Sequence, residues 1–205
     1  MTTEQLILSR RSVRKFTDAP VTDEQITRLI NAAVAAPSGC NSQCWRFAAV
    51  KTPEKIALLA KAAEKGVRRF YADAEDDFLA SRVKNTVFFA KAPLVILIYQ
   101  EDMKYHDPRV EKYYNDHGFS HDDMLRDMRR PEILSIGAAV ENLLLCAEEM
   151  GLGACPMVDP TVAEQEINEA LGLSGKLMCV IPVGTSAYTP REKAMKPLDE
   201  ILTII

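Results

Sequence analysis

Long apolar runs are missing from this 205-residue chain: the longest spans residues 92–99 and contains Pro93, whereas a bilayer-crossing helix needs about 20 such residues. No membrane association is expected. The cysteines are few and odd in number, five in all (Cys40, Cys44, Cys146, Cys155, Cys179), and no two form a Cys-x-x-Cys pair. A disulfide framework and the common zinc spacings are thereby excluded, and reduced thiols are expected. Basic residues are not in excess either. Lys and Arg total 25 against 29 Asp and Glu, a net charge of −4, and that balance argues against a nucleic-acid partner. The opening Met1-Thr2-Thr3-Glu4-Gln5 carries an acid where a secretory leader is basic, so a cytoplasmic location is expected. Also absent are Gly-x-Gly-x-x-Gly after a strand and the Walker lysine loop, so any nucleotide must be held by another device.

What is present is ordinary globular material, 47% hydrophobic and 26% charged, in a length that suits one domain over residues 1–205. Thr22-Asp23-Glu24-Gln25 is a capping box, followed at helical spacing by Ile26, Leu29, Ile30, Ala33 and Val34 and closed by Pro37. Residues 46–51 read as a strand, and Thr52-Pro53 then starts a helix carried by Ile56, Leu59, Ala60 and Ala63 to Gly66. The spacing predicts a further helix within 73–91 and a buried central strand over 94–99. Segment 101–130 breaks the pattern, with all three histidines and eight acids against six bases, and reads as a mobile insertion or lid. Ile133, Ile136, Val140, Leu143, Leu144 and Ala147 form a long helical stripe capped by Gly151. A helix starting near Thr161 and a strand over 177–183 complete an α+β layer structure.

Two cationic segments bracket this acidic chain. Residues 1–16 hold Arg10, Arg11, Arg14 and Lys15 against Glu4 alone, and residues 185–197 hold Arg191, Lys193 and Lys196 against Glu192. Guanidinium forks with Ser12 beside them suit a phosphate, although composition alone favours a solvated helix end. Pro37-Ser38-Gly39-Cys40-Asn41-Ser42-Gln43 packs turn formers with amides and hydroxyls, either a close-approach ligand loop or an ordinary turn. His117 and His121 stand four apart but lack the glutamate of His-Glu-x-x-His, so no metal is expected. Cys155 follows a helix end, where a thiol pKa rises, and reads as structural.

Arg10-Arg11-Ser12-Val13-Arg14-Lys15-Phe16 and Pro37-Ser38-Gly39-Cys40-Asn41-Ser42-Gln43-Cys44-Trp45-Arg46-Phe47 resemble the two N-terminal signatures of the FMN-dependent nitroreductase family. Ile136-Gly137-Ala138-Ala139-Val140-Glu141-Asn142 with Gly151-Leu152-Gly153, then Pro182-Val183-Gly184 and Lys196-Pro197-Leu198-Asp199-Glu200, resemble its core helix, last strand and tail. Segment 101–130 is unmatched. The resemblance implies a three-layer α+β sandwich with a mixed, mainly antiparallel central sheet flanked by helices, in a homodimer with FMN at the subunit interface and 101–130 as a lid over the active site. By position, it implies that Arg10, Arg11, Ser12 and Arg14 hold the phosphate, ribityl chain and pyrimidine edge, and that Pro37, Ser38, Gly39 and Asn41 come from the partner subunit. Asn85 matches a contact to the flavin's polar edge, and Pro156, Met157 and Val158 match the segment passing the ring near N5. Lys193 joins the phosphate, with Arg191 or Lys196 standing in for a family cation where this chain has Met195. Arg14 and a backbone amide around Met157 are the residues implied in catalysis. The resemblance further implies hydride transfer from NADH or NADPH to small acceptors such as nitroaromatics, quinones or flavins, by ping-pong kinetics. Ene-reductase, dehalogenase and oxidase variants, or a non-catalytic flavin-binding sensor, remain as alternatives.

Overall fold

A computed structural model describes residues 1–104 and 107–205; the expectations that touch Tyr105 and His106 lie outside the described residues. In chain order the elements are α1 (Thr3–Ser9), α2 (Asp23–Val34), β1 (Trp45–Val50), α3 (Pro53–Phe70), α4 (Asp76–Thr86), β2 (Leu94–Gln100), α5 (Pro108–Asp116), α6 (His121–Asp127), α7 (Pro131–Glu149), β3 (Gly153–Ala154), α8 (Glu164–Leu171) and β4 (Lys176–Gly184). The sheet runs β1-β2-β4-β3, with every strand pair antiparallel. A parallel bridge between Ser12 and Ala154 makes it mixed.

Strand β2 explains the layering. Its side chains alternate across the sheet, and Leu94, Ile96 and Ile98 pack with Leu29 and Ala33 of α2 and with Ile136, Ala139 and Leu143 of α7. On the opposite face Val95, Leu97 and Tyr99 pack with Ile56, Leu59 and Ala63 of α3 and Ile167 of α8. Both sets are fully buried, at about 1.5–3 kcal/mol for each large apolar side chain. Helices on both faces of one sheet therefore give three layers. The continuous apolar run that predicts a central strand is thus the middle layer itself, buried on both sides.

Several boundaries differ from the sequence reading. Helix α3 passes through Gly66 to Phe70. A Cβ at Gly66 would lie inside contact distance of the Ala163 backbone and 2.8 Å from Glu166 Oε2, so this glycine permits close packing and does not stop the helix. The helix expected within 73–91 ends at Thr86 and gives way to a 3-10 turn, Phe88–Lys91. A second 3-10 turn, Asp159–Ala163, precedes α8, which starts at Glu164 instead of near Thr161. Segment 101–130 builds α5 and α6, and its Met103, Met124 and Leu125 form a small core with Cys44.

Candidate active site

The cationic N-terminal segment is held in place by a glycine. After α1 the chain extends, the Val13 N–H donates to Ala154 O at 3.0 Å, and Val13 is buried. A Cβ on Gly153 would meet Val13 Cβ at 2.6 Å and Cγ1 at 2.9 Å; only a bare α-carbon lets the 10–14 segment lie against β3. With Val13 turned inward, Arg14 beside it is exposed.

The C-terminal cations arrive by a second pairing. Phe16 bridges antiparallel to Ser186, Thr17 N–H donates to Thr185 O at 2.9 Å, and Ala187 N–H donates to Lys15 O at 3.0 Å. Two segments from opposite ends of the chain therefore line one cavity of about 420 Å³, walled by Arg10, Arg11, Ser12, Arg14, Tyr188, Pro190, Arg191 and Lys193. Glu141 pairs with Arg10 at 3.1 Å. Five cationic side chains around one concavity focus a positive potential suited to a phosphate. Met195 and Lys196 lie outside this lining, whereas Arg191 is part of it.

A second cavity of about 350 Å³ is lined by Arg14, Asn85, Phe88, Cys155, Pro156, Met157, Val158 and Asp159. Arg14 belongs to both, so the two adjoin there, one end cationic and the other bounded by an aromatic ring, a thiol and backbone. The donor set suits a molecule carrying a phosphate at one end and a planar, hydrogen-bonding heteroaromatic ring at the other. Met157 N–H donates to Val180 O and Val180 N–H to Met157 O, each at 2.9 Å. The Met157 amide is therefore already paired. The neighbouring Val158 N–H has no acceptor among the described residues, and Val158 is exposed.

Burial pushes the Cys155 thiol up, partly opposed by Arg14. The direction matches the sequence expectation, but the cause is desolvation and not a helix end. Burial likewise takes Cys179 to about 11. Both shifts disfavour the thiolate, the form that acts as a nucleophile.

Pro37, Ser38, Gly39 and Asn41 line neither cavity. Their loop is fixed against α7, where Gly39 N–H donates to Ser135 Oγ at 3.2 Å. Cys40, Asn41 and Gln43 hold left-handed backbone at φ of 55°, 50° and 46°, a strained arrangement of the kind that collects at ligand sites. The histidines go to separate partners, His117 Nδ1 to Tyr113 O at 2.7 Å and His121 Nδ1 to Glu111 Oε1 at 3.4 Å. Sequence reasoning passed over Tyr188, Phe88 and Asp159 as lining residues. The Tyr188-Thr189-Pro190 turn formers beside the C-terminal cations are a signal for Tyr188 alone.

The profile of the Nitroreductase family matches residues 7–185, and the chain belongs to that family. It is an oxidoreductase of a family that uses FMN as cofactor and NAD(P)H as reductant. A solved BluB-like flavoprotein from Clostridium difficile 630 is 30% identical with a TM-score of 0.86, over 100% of this chain and 99% of its own. That match includes segment 101–130. An NADH dehydrogenase/NAD(P)H nitroreductase, so named in Archaeoglobus fulgidus, is 26% identical over 96% of this chain and 90% of its own length. An iodotyrosine deiodinase from Thermotoga neapolitana is 25% identical over 96% and 94%. No helix among the described residues is long and apolar enough to cross a membrane.

Proposed function

We propose that this chain binds FMN and carries reducing equivalents from NADH or NADPH to small electrophilic acceptors such as nitroaromatics, quinones or free flavins, by ping-pong kinetics. The observation that carries this reading is the sharing of Arg14 between the cationic cavity and the cavity walled by Met157 and Val158. FMN, when bound, would supply two-electron redox chemistry.

The chain's own residues bind and orient. Arg10, Arg11, Ser12, Arg191 and Lys193 hold the phosphate through charge-assisted hydrogen bonds. Arg14, a cation lining the ring-side cavity, stabilises negative charge developing on the pyrimidine side during reduction. Asn85 supplies a polar contact at the ring edge. The Val158 N–H is the donor for N5, because the Met157 amide is occupied by Val180. Pro156 and Val158 present exposed surface along the cavity, leaving one face open for donor and acceptor in turn.

The active form is a homodimer in this reading. Pro37, Ser38, Gly39 and Asn41 lie outside their own chain's cavities, which suits their donation to the site of a second copy. Exposed Ile133 and Leu134 at the start of α7, and Ile201, Leu202, Ile204 and Ile205 in the tail, form apolar surface of the kind that subunit contacts cover. The segment holding α5 and α6 acts as a lid over the acceptor. Five free thiols suit the reducing cytoplasm.

Anaerobic mixing with NADH and NADPH separately tests the reading. Bleaching of the bound flavin by at least one nucleotide, followed by reoxidation on adding a quinone or nitroaromatic, is expected, with parallel double-reciprocal plots. Reduction no faster than that of free FMN would overturn it. Reductive dehalogenation is a second reading, favoured by the likeness to the Thermotoga deiodinase; halide release from a halophenol in the same assay selects it.

A further inference from the structure

One ion pair at the rim of the ring-side cavity has no part in the binding scheme above. Asp159 opens the Asp159–Ala163 turn and lines the cavity alongside Arg14, Asn85 and Val158. Its Oδ1 accepts from Arg82 Nη2 at 2.8 Å. Arg82 stands on α4, one turn before Asn85, and its guanidinium lies over the Tyr71 ring, 5.7 Å from the centroid. Tyr71 in turn meets Phe78 edge-on at 5.6 Å, so the cation rests on an aromatic shelf.

Magnitudes show what such a pair can do. The Arg82 and Asp159 side chains are 26% and 44% exposed, and ion pairs this open add little to the stability of a fold. A clamp would also use the guanidinium side-on through two nitrogens, yet Arg82 Nε is buried with no acceptor among the described residues. The pair is a poor fastener. It is well placed for another task, because one of its charges forms the cavity wall and the other cancels it.

We propose that Arg82 and Asp159 are a charge-compensated pair in which Arg82 keeps the Asp159 carboxylate from opposing reduction of the flavin bound beside it. The inference rests on the FMN reading above. Reduction puts negative charge into the cavity; a bare carboxylate at Asp159 opposes that charge, and a bare guanidinium at Arg82 favours it. The two are positioning residues, acting through the field at the ring and taking no proton or hydride.

The test loads wild type, Arg82→Gln, Asp159→Asn, the double variant and Arg82→Lys with FMN. Each is equilibrated anaerobically against a reference dye, and the reduced-to-oxidised flavin ratio is read from the spectrum. Arg82→Gln is expected to lower that ratio at fixed potential by about tenfold and Asp159→Asn to raise it by about tenfold, about 30 mV each for a two-electron couple. The double variant and Arg82→Lys should fall within about twofold of wild type. Single variants that leave the ratio unchanged, or move it in the same direction, overturn the inference while leaving the FMN reading intact. A wild type that takes up no FMN removes both. Should Arg82→Gln not fold, Asp159→Asn and Arg82→Lys still decide, since the first must raise the ratio and the second must not move it.

Discussion

Arg14→Ala should weaken FMN binding by about a hundredfold while leaving the fold as stable as before. The side chain is exposed and makes no hydrogen bond or ion pair among the described residues, so truncating it strands no partner. It lines both cavities, and a charge-assisted hydrogen bond contributes about 1.5–3 kcal/mol, equivalent to about ten- to a hundredfold in affinity. The upper end is expected because one residue serves two parts of the ligand. Arg14→Lys keeps the charge but loses the planar fork, and should recover only part of the loss. Fluorescence titration with FMN measures both variants. Arg68→Ala, an exposed cation on α3 outside either cavity, serves as the control. An Arg14→Ala protein that binds FMN within about twofold of wild type contradicts the shared-site account.

Gly153→Val should be the most damaging single change near the site, because it acts on the fold and the site together. The new Cβ alone would stand 2.6 Å from Val13 Cβ and 2.9 Å from Cγ1, far inside ordinary contact. Overpacking of this kind costs about 1–3 kcal/mol. The easiest relief is to push the 10–14 segment off β3, breaking the Val13 to Ala154 hydrogen bond. That movement carries Arg10, Arg11, Ser12 and Arg14 away from Arg191 and Lys193, so FMN affinity should fall more steeply than stability does. Gly153→Ala combined with Val13→Ala removes two of the three clashing Val13 atoms and should restore part of the binding lost by Gly153→Ala alone. Thermal melts and FMN titrations on the same preparations separate the two effects. Wild-type affinity in Gly153→Val would show that the close approach of these segments is not what assembles the site.

These two residues also show where the sequence is readable. Arg14 sits in a cluster of cations that stands out in an acidic chain, and the C-terminal cluster is equally visible. What joins them is the antiparallel pairing of Phe16 with Ser186, a long-range contact that no local pattern encodes. Gly153 reads locally as part of a helix-ending Gly-Leu-Gly, although only Gly151, at φ 71°, has the left-handed cap conformation. Strand β3 is two residues long, too short for alternation to register. Gly66 looks like a terminator for the same reason: the feature that demands it, the backbone of Ala163, lies in another element.

Strand β2 and helix α7 were legible because periodicity and burial coincide over many residues. Segment 101–130 was less so, since its charge density hides two helix starts. Asp107 accepts from Arg109 N–H, with Pro108 in the first helical position, and Ser120 with Asp123 forms a capping box. Both signals stand in the sequence, the first following the rule that located α3 and the second the rule that located α2. Asp159 and Arg82 were invisible for a different reason. An ion pair between distant elements has no spacing, and nothing marks either residue until α4 and the Asp159–Ala163 turn meet.

The most direct measurement on the central claim is the visible spectrum of the purified protein titrated with FMN and then, under anaerobic conditions, with NADH or NADPH. A yellow protein that saturates near one FMN per chain and is bleached by a nicotinamide nucleotide is the predicted result. A chain that stays colourless with FMN in large excess, despite an intact fold, would contradict the assignment of the site shared through Arg14.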